Sequence, residues 1–429
     1  MSKRKKQVTR QEEYAALIGV DWASEKHDVW LYEPDTGKQD YRKVKQAPDA
    51  LTEWVAELRS RFAGRQVALC LEQSKGALIY ALMGYEFITL YPINPATLAK
   101  YREAFSPSRA KDDPTDAELL MDLLLKHRDK LKEWKPDDEQ TRMLTMLNEE
   151  RRKSVDLRTK LVLRLQATLK NYFPQVLDLL AGNLTSELAC VFLQKWSTLD
   201  ALKRAKPQTV RALYYGHNYR RGDLITANLE KIRTAIPLTQ DKAIVSVSAI
   251  TAQALAKQIR TINEVIEQYE QQIKEVFKNH PDGFIFGSLP GAGPALAPRL
   301  LSAMGADRDR YSEARDIQTF SGIAPVVERS GKQVWIHWRW GCPKFIRQTF
   351  HEFANCSRNF SLWASAYYEL QRERGKSHHA AVRSLAFKWQ RIIFRCWKER
   401  KPYDEEQYIQ ALKANGSPLW ERINALHAA

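Results

Sequence analysis

The chain has 429 residues, enough for two to four domains with well-packed cores. Its 67 Lys and Arg residues outnumber 51 Asp and Glu, and the formal net charge of +16 indicates a polyanionic partner. No stretch approaches the roughly 18 apolar residues of a membrane-spanning helix, so we expect no membrane partner. The basic start, residues 2–6, is expected to be a disordered arm that touches phosphates or a solvated tail. Scattered cysteines without a Cys-x-x-Cys pair fit a reducing cytoplasm.

The first part of the chain, residues 1–135, alternates strand and helix patterns. Short continuous apolar runs, typical of strands buried on both faces, occur at 15–20 and 67–71. A polar hairpin with a turn at residues 34–37 follows the first run. Helices are predicted at about 51–62, at 77–83 and from Pro114 onward. Three antiparallel strands followed by βαβ units predict an α/β domain of the ribonuclease-H-like type.

Acidic residues stand at the ends of these elements. Asp21 closes the first apolar run and Glu72 closes the second. Asp113 and Asp116 open the leucine-rich helix that follows Asp112. Carboxylates gathered at the mouth of an α/β sheet repel one another unless a cation lies between them. Mg²⁺ takes such hard oxygen ligands, so the pattern predicts metal-assisted phosphoryl transfer on nucleic acid.

Each of these acids also has an ordinary structural interpretation. A lone Asp after a strand, such as Asp21, is commonly a turn residue or a helix cap. Asp113 before Pro114 is typical of a helix N-cap, and the helix dipole favours Asp116 in the first turn. This interpretation accounts for the helix pair alone. It does not explain why two preceding strands also end in acids.

The second part, residues 136–280, is predicted to be helical. Its clearest segment carries apolar residues at alternating three- and four-residue spacing: Ile259, Ile262, Ile266, Tyr269, Ile273 and Val276. An earlier helix is predicted over about 138–172. The two helices form either an internal antiparallel pair or an intermolecular coiled coil, and we expect a homo-oligomer, a dimer or a tetramer. A helical insert at 180–246 contains an aromatic and basic segment, 214–221, that suits bases and phosphates or forms a solvated loop.

The third part, residues 281–429, combines glycines, serine, arginines and aromatic residues. Gly291 and Gly293 lie between two predicted helices, where backbone N–H groups can approach a phosphate as in helix-hairpin-helix units. Ser330 and Gly331 precede a strand-like segment. The cations expected to contact nucleic acid there are Lys332, Arg339 and Arg347. Seven of the chain's 12 tryptophans fall in this part, and the many arginines among them favour a nucleic-acid face.

These motifs together resemble the DEDD transposases of the insertion-sequence IS110 family, the bridge-RNA-guided recombinases. In the first part the matching segments are Gly19-Val20-Asp21, Cys70-Leu71-Glu72 and Lys111-Asp112-Asp113-Pro114-Thr115-Asp116. In the third part they are Leu289-Pro290-Gly291-Ala292-Gly293, Phe320-Ser321-Gly322-Ile323-Ala324-Pro325 and Ser330-Gly331. They lie at both ends of the chain, in the order found in the family.

The resemblance implies a RuvC-like domain, a coiled-coil arm and a mainly helical C-terminal transposase domain with a nucleophilic serine. Ser330 matches that serine, although a Ser-Gly pair is by itself typical of a turn. Asp21, Glu72, Asp113 and Asp116 match the acids that hold Mg²⁺, and the resemblance implies that metal and serine act together. The implied partners are donor DNA, target DNA and a structured non-coding bridge RNA, in the bacterial cytosol or nucleoid.

Two other functions remain open at this point. A RuvC-type metal nuclease would cut branched DNA with the same acids and without a covalent serine intermediate. A non-catalytic RNA- or DNA-binding protein would have lost its metal, which the presence of all four acids disfavours. Replacing Ser330 with Ala separates the recombinase from the nuclease, since only the recombinase needs the hydroxyl.

Overall fold

The computed structural model describes residues 14–72, 75–105 and 112–427. The basic arm at residues 2–6 and Lys111 of the acidic motif lie outside the described residues. The chain divides into two compact units, Met1–Pro136 and Asp137–Ala429. Within the described ranges, no helix is both long enough and apolar enough to cross a membrane.

The first unit is built on a five-stranded mixed sheet. Its elements are β1 (Ala16–Asp21), β2 (Lys26–Tyr32), β3 (Gln39–Lys45), α1 (Pro48–Arg61), β4 (Val67–Leu71), α2 (Ala77–Leu82), β5 (Ile88–Pro92), α3 (Pro95–Phe105) and α4 (Asp113–His127). The strand order is β3-β2-β1-β4-β5, with antiparallel pairs among β1 to β3 and parallel pairs from β1 through β4 to β5. The predicted α/β class is therefore confirmed, and the topology is consistent with a ribonuclease-H-like domain.

The continuous apolar sequence of β4 reflects cover on both faces of the sheet. All five residues of β4 are buried, with Leu69 and Leu71 in one apolar core and Ala68 and Cys70 in the other. The first core is completed by α1 and α2, and the second by α4. Helix α3, which the sequence pattern did not predict, lies next to α4, where the Tyr101 hydroxyl donates to Asp122 Oδ2 at 2.7 Å.

The second unit is almost entirely helical. Its elements are α5 (Glu139–Tyr172), α6 (Gln175–Leu179), α7 (Glu187–Lys195), α8 (Leu199–Lys203), α9 (Pro207–Gly216), α10 (Gly222–Thr234), α11 (Lys242–Asn279), α12 (Gly283–Gly287), α13 (Gly293–Met304), α14 (Ala314–Phe320), β6 (Val326–Ser330), β7 (Gln333–His337), α15 (Lys344–Ser357), α16 (Leu362–Glu373), α17 (His378–Glu399), α18 (Glu405–Ala414) and α19 (Pro418–His427). Strands β6 and β7 form an antiparallel hairpin.

The long helices α5 and α11 run antiparallel within one chain. Arg151 Nε donates to Glu270 Oε1 at 3.0 Å, and Arg158 Nη1 donates to Asn263 Oδ1 at 3.0 Å. Ile259, Ile266 and Ile273 are buried in this chain. The chain's own helices thus bury these three isoleucines, as in the internal antiparallel pair, which is one of the two arrangements that the spacing left open. Three-and-four spacing predicts a helix neighbour without saying which chain supplies it.

This helical pair joins two separate apolar cores. One core surrounds the C-terminal helices and includes Leu144 of α5 and Ile273 of α11. The other lies at the far end of the pair, where Leu165 and Ile259 pack against the small helices α6 to α10. The helices of residues 180–246 therefore have a hydrophobic core of their own, shared with the distal ends of α5 and α11.

Buried His280 ties the end of α11 to the start of α5. The Asp282 backbone N–H donates to His280 Nδ1 at 3.0 Å, so the ring proton lies on Nε2, which donates to Thr141 Oγ1 at 2.9 Å. The Thr141 hydroxyl in turn donates to Asp138 Oδ2 at 2.6 Å. This network needs the neutral ring, and burial lowers the pKa of His280.

We expect acid to weaken the second unit through His280. Because the folded pKa is lowered, the unfolded chain takes up the proton first, so this stability is present above about pH 6.5 and is lost below it. The free energy of unfolding should be measured by urea titration at several pH values. The His280→Gln protein should lose less stability than the parent between about pH 7.5 and 5.5. An identical pH dependence in both proteins would contradict this role.

Candidate active site

Three acids lie side by side at one edge of the first unit's sheet. The parallel register pairs Val20 of β1 with Leu71 of β4. Asp21 and Glu72 are the residues that follow this pair, so they lie next to each other across the two strands. The antiparallel register pairs Asp21 with Asp28. Neighbouring strands are about 4.8 Å apart, and residues directly opposite point to the same face. The pKa of buried Cys70, two residues before Glu72, is raised by burial and further by the charge of Glu72.

Helix α4 covers the same face at the same edge. A Cβ added at Gly19 would lie 2.0 Å from the Ala117 carbonyl oxygen, so glycine lets the α4 backbone rest directly on β1. Asp21 shares the face of Gly19 because side chains alternate along a strand. At the other end of α4, the Arg128 guanidinium lies 4.9 Å from the ring centroid of Tyr14, which precedes β1. The first turn of α4 therefore lies toward Asp21.

The two acids of α4 have different surroundings. Asp112, not Asp113, is the N-cap, and its side chain makes no capping hydrogen bond. Asp113 is the first helical residue and is exposed. Asp116 is only 2% exposed, and both its oxygens accept hydrogen bonds from Arg102 of α3, at 2.6 Å from Nε and 2.6 Å from Nη2. The N-cap interpretation of Asp113 is therefore wrong by one residue, since the chain is still extended at Asp112.

The carboxylate oxygens of these acids suit a divalent cation, but Arg102 already binds one of the carboxylates. The predicted ligands Asp21, Glu72, Asp113 and Asp116 offer the hard oxygens that Mg²⁺ prefers, and their backbones meet at one edge of the sheet. Among the described residues, however, no three Asp, Glu, His or Cys side chains are already grouped to hold a metal ion. The Arg102 guanidinium donates to both oxygens of Asp116, so Arg102 competes with a metal ion for this carboxylate.

Ser330 lies in the second unit, at the end of β6. It pairs with Gln333 across a two-residue turn, and it is exposed. Gly331, the first turn residue, has φ +56°, a left-handed conformation that favours glycine in tight hairpins. His337 does not approach the serine hydroxyl, because it pairs with Val326, four residues from Ser330 and about 13 Å along the strand. Its Nε2 instead lies 3.4 Å from Glu328 Oε2.

Cations surround the hairpin. Arg329 and Lys332 flank Ser330 and are exposed, and neither forms an ion pair with any residue in the described part of the chain. Arg339 follows β7, and its buried Nε has no hydrogen-bond partner among those residues. Arg347 of α15 lies 5.7 Å from the ring centroid of Trp338. The predicted contacts Lys332, Arg339 and Arg347 are thus all near the hairpin that carries Ser330.

The two glycines predicted to contact phosphate differ. Both have positive φ, +77° at Gly291 in the turn after α12 and +53° at Gly293, the first residue of α13. A Cβ at Gly291 would lie 2.8 Å from Phe360 Cδ2, so this glycine is needed for packing against the rest of the domain. A Cβ at Gly293 would meet nothing within 4 Å, so this backbone is open to a ligand. Helix α13 begins there without a side-chain cap.

The aromatic and basic segment at 214–221 is partly structural. Tyr214 is completely buried, and its hydroxyl donates to the Leu179 carbonyl oxygen at 2.9 Å. Tyr219 packs against it with ring centroids 5.2 Å apart. Tyr215 remains exposed. Most of the aromatic content of this segment therefore stabilises the insert.

The term acidic edge is used here for the edge of the sheet that carries Asp21, Glu72, Asp113 and Asp116. Two further residues there, Asp28 and Arg102, were not predicted as site residues. Asp28 is 5% exposed and accepts a hydrogen bond from the Tyr41 hydroxyl, with Lys43 Nζ 3.5 Å away. Its position could have been found by pairing the first two strands across their short connection. Arg102 had no comparable signal, because its contact with Asp116 depends on how α3 packs on α4.

The sequence matches two family models, one in each part of the chain, and two known proteins over most of its length. Residues 18–174 match a family model for transposases of the DEDD IS110 type, and residues 285–369 match the model of the transposase IS116/IS110/IS902 family. A transposase for the IS117 mini-circle of Streptomyces coelicolor is 26% identical over 94% of this chain and 98% of its own length. The 42 kDa protein of insertion element IS900 from Mycobacterium paratuberculosis is 24% identical over 90% of this chain and 96% of its own.

Proposed function

This chain belongs to the IS110 family of transposases, and we propose that it cuts and rejoins DNA through Ser330 under the guidance of a structured RNA. Family membership makes it an enzyme of DNA strand cleavage and joining, with DNA as substrate. The observation that supports Ser330 is its place at an exposed hairpin end, between Arg329 and Lys332. A nucleophile for a DNA phosphate must be accessible and must lie near positive charge.

The proposed reaction keeps the number of phosphate ester bonds constant. The Ser330 oxygen forms a bond to a DNA phosphorus, and the hydroxyl proton passes to a general base or to water. The bond from phosphorus to one deoxyribose oxygen breaks, and that oxygen takes up a proton and leaves as a free hydroxyl on the DNA end. A hydroxyl from another DNA end then attacks the phosphoserine, which restores a phosphodiester and frees the serine. No external energy source is needed, because each broken ester bond is replaced by another. Lys332, in the turn two residues after Ser330, is the cation proposed to stabilise the negative charge that develops on the phosphate oxygens, because Arg329 pairs with Val334 and lies on the opposite face of the hairpin.

The acidic edge is proposed to hold a divalent cation, Mg²⁺. Asp21, Glu72, Asp113 and Asp116 would be its ligands, with Asp28 beside them. Such an ion neutralises charge on a transferring phosphoryl group and orients its oxygens. Arg102 would compete with the ion for Asp116. The register of Asp21 with Glu72 and the direction of α4 support this assignment.

RNA guidance and assembly rest on the family resemblance. The proposed partners are donor DNA, target DNA and the element's own structured non-coding RNA. Exchange joins four DNA ends, so several active centres are needed at once, which a dimer or a tetramer supplies. Because Ile259, Ile266 and Ile273 are buried within the chain, we propose that the subunit contact involves other surfaces.

The alternative function is a RuvC-type endonuclease. Asp21 of β1, Asp28 of β2 and Glu72, the residue after β4, favour it, because a metal nuclease needs only such a group of acids. In that case a metal-activated water would attack the phosphate, and Ser330 would be a structural residue of the hairpin. The two functions differ in whether the DNA becomes covalently attached to protein.

We expect nucleic-acid binding to weaken steeply with salt, because bound Lys and Arg displace counterions. Each phosphate contact should contribute a slope of about −0.9 in log affinity against log salt concentration. The double substitution Arg329→Gln and Lys332→Gln should make this slope shallower by about 1 for each of the two side chains that binds a phosphate. A salt titration of duplex DNA and of the element's RNA measures this, with Lys45→Gln on β3 as a control that removes one positive charge elsewhere. A flat response, or no preference for the element's RNA, would contradict the proposal.

A further inference from the structure

The β6–β7 hairpin exposes an unusual amount of apolar surface. Every residue of β7 is exposed, and so is all of β6 except Val326. The large exposed side chains of this hairpin and the residues after it are Val327, Val334, Trp335, Ile336, Trp338 and Trp340. A two-stranded hairpin without a covering layer is marginally stable in water. A partner that covers these groups would stabilise it.

The strand register places Trp335 on the same face as Ser330. Trp335 pairs with Glu328, and Ser330 pairs with Gln333. Residues two apart on a strand share a face, so Trp335 lies beyond Gln333 on the serine's side, about 7 Å along the strand. The opposite face carries Ile336, paired with Val327. A strand of nucleic acid that presents a phosphate to Ser330 therefore passes the indole of Trp335.

Trp338 is held as a rigid, partly open ring. The Arg383 guanidinium stacks 4.0 Å from its centroid, and Arg347 lies 5.7 Å away. Arg383 is itself fixed, because its Nε donates to the Ile323 carbonyl oxygen at 2.9 Å. Burial and the neighbouring charge of Arg347 lower the pKa of Arg383. The guanidinium groups of Arg383 and Arg347 both lie at this ring, which favours an anion, and 44% of Trp338 remains exposed beside them.

Charge distinguishes nucleic acid from a protein partner at this surface. Residues 326–347 contain five Lys or Arg and one acid, Glu328. Glu328 lies 3.4 Å from His337. An apolar patch for a protein partner is usually depleted of charge at its centre. Aromatic rings mixed with cations are typical of surfaces that bind single strands, where rings stack on bases and cations contact the backbone.

We propose that Trp335 and Trp338 form a stacking surface for the unpaired bases of the DNA strand that carries the cleaved phosphate. The proposal rests on the function assigned to Ser330, since the serine's face identifies the strand as DNA. Bases in an intact duplex hide their ring faces, so the surface selects nucleotides that have already separated. The tryptophans would hold the strand in place for attack, without taking part in bond formation.

Binding of a single-stranded oligothymidylate to the full-length protein in EDTA tests this surface without any cleavage. The combined Trp335→Ala and Trp338→Ala substitutions should weaken binding by at least roughly 5- to 150-fold, the range for the loss of stacking on a single base. Trp335→Phe should keep most of the affinity, because a ring remains. Ile336→Ala is the matched control: it removes a side chain that is 71% exposed from the other face of the hairpin, and it should leave affinity unchanged.

Several results would overturn the stacking surface. Equal loss in the Ile336→Ala protein would indicate general apolar contact or a disturbed hairpin. Unchanged affinity in the double tryptophan variant would show that no base stacks there. If the double substitution lowers the affinity for oligouridylate more than the affinity for oligothymidylate, the surface binds RNA and not DNA. Since the assay needs neither metal nor serine chemistry, these outcomes are separate from the fate of Ser330. If Ser330→Ala abolishes activity while the tryptophan variants bind the oligonucleotide normally, the proposed function stands and the stacking surface is contradicted.

Discussion

The Ser330→Ala protein is expected to lose strand joining completely and to form no protein–DNA adduct. The hydroxyl is the only group removed, and nothing else at that position can bond to phosphorus. Folding and nucleic-acid binding should be nearly unchanged, because the side chain is exposed and small. Joining should be measured as recombinant product from donor and target DNA, and the adduct as a protease-sensitive shift of labelled DNA.

Gln333→Ala is the matched control for this experiment. Gln333 pairs with Ser330 across the hairpin, so its substitution disturbs the same place without removing a nucleophile. It should retain adduct formation. Efficient recombination by the Ser330→Ala protein would contradict the serine mechanism. Cutting without joining in that protein would favour the metal nuclease.

The second large effect is expected from Arg102. In the Arg102→Met protein the buried carboxylate of Asp116 loses its counter-charge, and the free energy of unfolding of the first unit should fall by about 3 to 5 kcal/mol. Asp116 is 2% exposed and Arg102 15%, so water cannot readily replace the guanidinium at the carboxylate. Urea titration followed by tryptophan fluorescence measures the loss. Saturating Mg²⁺ should stabilise this variant more than the parent, because the metal no longer competes with Arg102.

A double substitution separates the ion pair from the metal. Replacing Arg102 with Met and Asp116 with Leu removes both charges, and an apolar pair of similar volume should recover most of the lost stability. Mg²⁺ should then have little effect. If the double variant is as unstable as Arg102→Met, the loss comes from packing of α3. If Mg²⁺ stabilises the parent and Arg102→Met equally, Asp116 is not a metal ligand.

Sequence patterns predicted the central strands of the sheet, β1 and β4, because these strands are buried on both faces. A strand such as β4 needs apolar side chains on each side, and a continuous run such as 67–71 has few other uses. The helices α5 and α11 were predicted for a related reason, since a long amphipathic stripe requires a neighbour. Which neighbour covers Ile266 was not predictable, because an internal and an external helix demand the same spacing.

Contacts that depend on tertiary packing could not be predicted from the sequence. The pair of Arg102 with Asp116 joins two helices through the packing of α3, which has only a weak pattern of its own. Tryptophan content did not distinguish core from surface. Trp363, Trp389 and Trp397 are completely buried, whereas the tryptophans of the hairpin region are exposed. That difference follows from the lack of a layer over β6 and β7.

The most direct test of the central claim is to identify the atom that attacks the phosphate. The reaction should be run in water enriched in oxygen-18, stopped early, and digested so that peptides and DNA ends are analysed by mass spectrometry. The account predicts a nucleotide attached to the peptide that contains Ser330, with no heavy oxygen in the phosphates of the joined product. Heavy oxygen in the phosphate of the cut ends, with an unmodified Ser330 peptide, would show that water is the nucleophile and would contradict the account.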